Sequence, residues 1–160
     1  MVLRLIDSNQ QTLAMQKIYS STSYFIIGYT IIAATVTLMS TLTLVPPPLR
    51  SSIGMVVAAI AFVDLSYRFF RKHTPENENV AFKDVIKLMA YWAVLSFGLD
   101  VLILVIILPL IASGSMSLAF FSQQPSIYWL QFPMMFIFGF VSQAIYNRVV
   151  VITTAKVDVN

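Results

Sequence analysis

The sequence predicts an all-α integral membrane protein with four transmembrane helices and both termini on the cytoplasmic (or matrix) side. Three observations predict it. Of 160 residues, 58% are apolar and only 11% charged, against about 25% charge in an ordinary soluble domain. Four apolar runs each reach the length, about 17 to 25 residues, that crosses a hydrocarbon core. The few basic residues are distributed with one bias along the chain. Mean hydropathy is +0.81.

The elements follow in order within one membrane domain, residues 1–160. Residues 1–23 are a polar or interfacial N-terminal segment. The apolar run after it has 22 residues, longer than the roughly 7 to 15 of a signal peptide, so the N-terminus is read as uncleaved. The first helix, 24–45, contains no charged residue. The second is placed at 48–72: Pro46, Pro47 and Pro48 make a rigid outer turn, and Pro48 can occupy the first helical position, where a missing N–H costs nothing.

Residues 71–87 form the polar connection to a third helix at 80–112, whose start Thr74 or Asn79 is expected to cap. The connection 113–126 is uncharged and includes the apolar run Leu118–Phe121, read as interfacial. The fourth helix is placed at 127–152. No internal repeat is found.

Orientation comes from Lys and Arg. Nine of the ten basic residues (Arg4, Lys17, Arg68, Arg71, Lys72, Lys83, Lys87, Arg148 and Lys156) fall on one side of the threading and only Arg50 on the other. Aromatic residues mark the boundaries: Tyr19, Tyr24, Tyr67, Tyr91, Trp92 and Tyr146 inside, Tyr128 and Trp129 outside. The positive-inside pattern accounts for the net charge of +3 better than nucleic-acid binding does, and no nucleic-acid partner is expected.

Composition also narrows the chemistry. With no Cys and one His, His73, thiolate sites and most metal centres lack ligands, and no cofactor, metal or haem is expected from this chain alone. Ser-His-Asp or Cys-His catalysis lacks its parts, and no glycine-rich phosphate loop occurs. Met134 and Met135 point about 100° apart on a helix and are read as packing. The expectation is that the chain is not an enzyme. His73, with Glu76 and Glu78 nearby, makes the polar loop a candidate docking surface.

Asp100 is the most informative residue. At 1.5 Å per residue it lies about 20 Å from both Lys87 and Ser113, near the bilayer midplane. An intramembrane carboxylate faces protein or water, either as a proton or ion site or as an interhelical hydrogen bond that fixes assembly. Met89, Ala93, Ser96 and Asp100 form one stripe on the third helix, and Gln131, Met135, Gly139, Ser142 and Tyr146 form another on the fourth, with Gln143 beside it. Ser96, Gln131, Ser142 and Gln143 are therefore the expected partners of Asp100, with Gly139 allowing close helix approach.

Asp64 and Arg68, four residues apart, are read as an interfacial ion pair with a snorkelling Arg. They continue a stripe of Gly54, Ala58 and Ala61, which is expected to pack on another helix, as is the ridge Ala33, Thr37 and Thr41 of the first helix. Pro109 and Pro133 remove backbone donors and free the carbonyls of Val105 and Trp129.

The functional expectation is a non-catalytic accessory or structural subunit of a larger membrane complex, such as a respiratory, energy-transducing, monooxygenase or secretion assembly. Its partners are the lipid bilayer and other integral membrane subunits, or copies of itself in a homo-oligomer. The alternative is an oligomeric channel or proton- or ion-coupled small transporter using Asp100. A multi-pass location in a prokaryotic cytoplasmic membrane or an organellar inner membrane fits both.

Overall fold

The computed structural model describes residues 2–41, 46–75, 78–114 and 126–157, with side chains over 15–39, 41, 46, 49, 52–75, 78–111, 114 and 129–153. The described residues are all-helical, and four stretches are long and apolar enough to cross a membrane: Met15–Met39, Ser52–His73, Phe82–Ile111 and Trp129–Thr153. These four helices fit a multi-pass membrane protein. Residues 42–45 at the end of the first expected helix, Glu76, and the Leu118–Phe121 run lie outside the described residues.

Helix α1 spans Val2–Thr41 without interruption. The sequence reading begins this helix at Tyr24, but no Gly or Pro occurs before Gly28, so nothing breaks the backbone ladder through the polar segment. Helix α2, Pro47–His73, starts after Pro46 with prolines in its first turn. It stops because Thr74 precedes Pro75, which forces extended backbone. Thr74 has φ −101° and ψ 132°, and its N–H donates to the Phe70 carbonyl. Thr74 thus closes α2, whereas the sequence made it a candidate cap for the next helix. Helix α3, Phe82–Asp100, follows Ala81 as N-cap with no side-chain cap, so Asn79 does not cap it either.

The third span then changes register. Val101–Ile107 is a π-helical segment in which the N–H of Leu108 reaches back to the carbonyl of Ile103. Pro109 follows two residues after the end of the segment, and its ring cannot tolerate the carbonyl four residues earlier. Widening the turn is the accommodation found here, in place of the sharper kink that a proline commonly produces. Helix α4, Leu108–Ser113, ends at Gly114 in the left-handed region (φ 72°), where a glycine carries no Cβ penalty. Helix α5, Ser126–Val157, carries Pro133 without a break.

Side-chain pairs set the registers. Tyr24 meets Phe69 edge-on, and Gly28 lies against Leu65; four steps forward on α1 are four steps back on α2, so these helices are antiparallel. Ser21 bonds Trp92 and Tyr29 bonds Asp100, each across 71 positions, so α1 and α3 run parallel in a fixed register. Phe82 stacks on Phe140 while Phe97 meets Phe132, which makes α3 and α5 antiparallel. Around the bundle the order is α1, α2, α5, α3. Trp92 is fully buried near its axis, against Phe25 of α1 and Phe62 of α2.

Candidate functional site

The buried carboxylate at the end of α3 joins three helices. Asp100 is 6% exposed. Its Oδ1 accepts a hydrogen bond of 2.8 Å from the Tyr29 hydroxyl of α1, and its Oδ2 accepts a longer one, 3.4 Å, from Gln131 Nε2 of α5. Two donors on two helices satisfy the acceptor on a third. This matters because an unsatisfied carboxylate in an apolar surrounding is costly.

Of the four partners expected for Asp100, the structure brings Gln131 to it. Ser96 is buried on the same face of α3, one turn earlier. Gln143 goes elsewhere: its Nε2 donates to the Val80 carbonyl at 2.7 Å, a carbonyl that also receives Asn147 Nδ2, while Asn147 Oδ1 accepts from the Val80 N–H. Ser142 is fully buried, and its hydroxyl has no hydrogen-bond partner among the described residues. The register explains the difference. Gly139 already faces Met89, so positions still further along antiparallel α5 face the start of α3 rather than its end.

Gly139 permits the close approach expected of it. A Cβ there would sit 2.5 Å from Met89 Cγ and 2.7 Å from Met89 Sδ, far inside van der Waals contact. Gly28, which the sequence reading passed over, plays the same part in α1: a Cβ would lie 2.9 Å from Leu65 Cδ1.

Tyr29 was the missed member of the site. Its signal was present in the sequence, since a tyrosine deep in an apolar helix carries a hydroxyl that needs a partner once buried. Two of the expected boundary aromatics also belong to the core: Trp92 donates to Ser21 at 2.9 Å, and Tyr146 packs edge-on to Tyr67. Thr22 and Tyr91 share a further α1–α3 hydrogen bond of 2.7 Å.

Within the bundle the stripes on α1 and α2 meet few partners. Asp64 and Arg68 do pair at 2.8 Å, yet their side chains are 50% and 63% exposed, so this end of the stripe does not pack on a helix. Ala58 packs on the core and Ala61 is half-buried, while a Cβ on Gly54 would meet nothing within 4 Å. The packing face of α2 is instead Phe62, Leu65, Ser66 and Phe70, because bulky side chains there fill the space between α1 and α5. Ala33, Thr37 and Thr41 are exposed, with Thr37 donating to the Ala33 carbonyl and Thr41 to the Leu38 carbonyl.

Among the described residues no three His, Asp or Glu side chains gather as a metal site would require. The Asp100 cluster ties three helices together through one carboxylate. No protein-family model, curated protein or solved structure matches this chain.

Proposed function

We propose that this protein is a non-catalytic integral subunit of a larger membrane assembly, joined to other membrane-embedded chains or to copies of itself through α1. The observation that supports it is the exposed ridge of Ala33, Thr37 and Thr41 at four-residue spacing. The Thr hydroxyls bond back to their own helix, so the ridge offers methyl groups and close backbone approach, the surface by which helices associate in lipid. Gly54 adds a second open small-residue position on α2. The Asp100 cluster serves this reading as an internal tie that keeps the bundle rigid while its outer faces dock.

Mild extraction followed by sizing tests the proposal. Co-purifying membrane partners or a defined oligomer are expected, and the pair Ala33→Leu with Thr37→Leu removes them. Recovery of a lone, stable monomer overturns it. In the membrane, the end of the bundle that carries Lys17, Lys72 and Lys87 faces the cytoplasm or matrix by the positive-inside rule; a reporter fused after Asn160 found on the opposite side contradicts that orientation.

The second reading, an oligomeric channel or proton- or ion-coupled small transporter, is favoured by one feature. The buried Asp100 stands at the entry to a π-helical segment, a distortion frequent at functional sites. Asp100→Asn separates the two: lost coupling with intact assembly supports transport, and impaired assembly supports the structural role.

A further inference from the structure

Two clefts open at the basic end of the bundle, and they share a wall. One, of about 330 Å³, lies among α1, α2 and α3 and is lined by Lys17, His73, Asp84, Lys87 and Tyr91, with Phe70 and Leu88 among its apolar residues. The other, of about 810 Å³, lies along α1 and α2 and is lined by Lys17, Lys72 and His73 together with Tyr24 and Ile27. Lys17 and His73 belong to both. We propose that these paired clefts are a binding site for an anionic phospholipid, its phosphate held between Lys17, Lys87 and Lys72 and its acyl chains lying along the apolar side chains below.

Charge, placement and shape all argue for this occupant. Three lysines from three helices converge on the two clefts. The carboxylate lining the smaller cleft, Asp84, sits in the first turn of α3, where the helix dipole offsets its charge. Lys72 is one residue from the end of the second span, and Lys17 and Lys87 line the same clefts from α1 and α3. A basic pocket between membrane helices at such a level matches an anionic headgroup. The mixed lining fits an amphiphile better than a free ion.

His73 forms the wall that the two clefts share. Its ring stacks on Phe69 with centroids 4.4 Å apart, and its Nδ1–H donates to the Phe69 carbonyl at 2.9 Å. The ring is thereby fixed as a wall common to both clefts.

The full chain, reconstituted in nanodiscs of mixed phosphatidylglycerol and phosphatidylcholine and then released for native mass spectrometry, tests the site. Phosphatidylglycerol is expected to be retained over phosphatidylcholine. The pair Lys17→Gln with Lys87→Gln lowers that preference about tenfold; both lysines are exposed, so the core is untouched. Lys17→Arg with Lys87→Arg keeps the preference, and so does Lys83→Gln, an exposed lysine one turn earlier on α3 that lines neither cleft. Equal retention of both lipids, an equal loss in Lys83→Gln, or displacement of the lipid by inorganic phosphate overturns the proposal, the last outcome identifying a free-phosphate site instead.

Discussion

Tyr29 donates its hydroxyl hydrogen to Oδ1 of Asp100 at 2.8 Å, in the same 71-residue register that joins Ser21 to Trp92 nearer the basic end of the helices. The two bonds clamp parallel α1 and α3 at two levels. Tyr29→Phe keeps the ring that packs 5.9 Å from Phe25 and deletes only the donor. Interhelical hydrogen bonds in membrane proteins are worth about 0.6 kcal/mol on average and at most about 1.7; a carboxylate acceptor belongs at the upper end. The expected loss is about 1 to 1.5 kcal/mol in an unfolding titration in mixed micelles. In a double-mutant cycle with Asp100→Asn the two effects should be less than additive. Full additivity would falsify the clamp.

A second prediction contrasts two glycines. Gly139→Ala drives a methyl into Met89, a fully buried side chain, and to within 3.1 Å of Val85 Cγ1. Overpacking of this kind costs about 1 to 3 kcal/mol, and Met89→Ala in the same protein should recover part of it. Gly98→Ala meets nothing within 4 Å, so it should be neutral or stabilising by up to about 1 kcal/mol through helix propensity. Thermal melts in one detergent compare them directly, and equal destabilisation by both substitutions contradicts the packing described.

These residues show what could be read from the chain and why the rest could not. Four spans, and Asp100 as the polar residue among them, follow from hydropathy, because one carboxylate in an apolar run is conspicuous without any knowledge of packing. The register between helices does not follow, since small-residue stripes recur on every helix here and slide past one another without penalty in a sequence. That is why the sequence offers Gln143 and Ser142 to Asp100 as readily as Gln131. Helix α1 starts well before Tyr24, because polarity marks where a membrane begins and not where a helix begins. The π-helical segment had its cause in plain view at Pro109, but the sequence could not decide between a kink and a widened turn.

The two tryptophans offer an optical check of the burial pattern. Trp92 is fully enclosed, whereas Trp129 is 46% exposed on the apolar surface. Brominated acyl chains quench indoles that touch lipid. Protein in brominated bilayers should therefore lose the Trp129 emission and keep the Trp92 emission, the single variants Trp129→Phe and Trp92→Phe assigning each. Strong quenching in Trp129→Phe would place Trp92 at the lipid face and dismantle the core as described.

Pro109 provides the last prediction. The π-helical segment ends two residues before it, next to a point where the α ladder would require a donor that proline lacks and a carbonyl position its ring excludes. Pro109→Ala restores the donor, so the segment should relax to α register. Asp100 anchors the preceding helix through Tyr29 and Gln131, and the change is taken up beyond it. Removing one residue's worth of widening turns the following helix by about 100°. Ile111, now 78% exposed, then moves away from its present lipid-facing position. The chain has no cysteine, so a single spin label at Ile111 reports this without background. Its collision rate with dissolved oxygen should fall in the Pro109→Ala protein, while a label at Val94, 70% exposed on the near side of the anchor, should not change. An unaltered rate at Ile111 would assign the wide turn to the Asp100 anchor rather than to the proline.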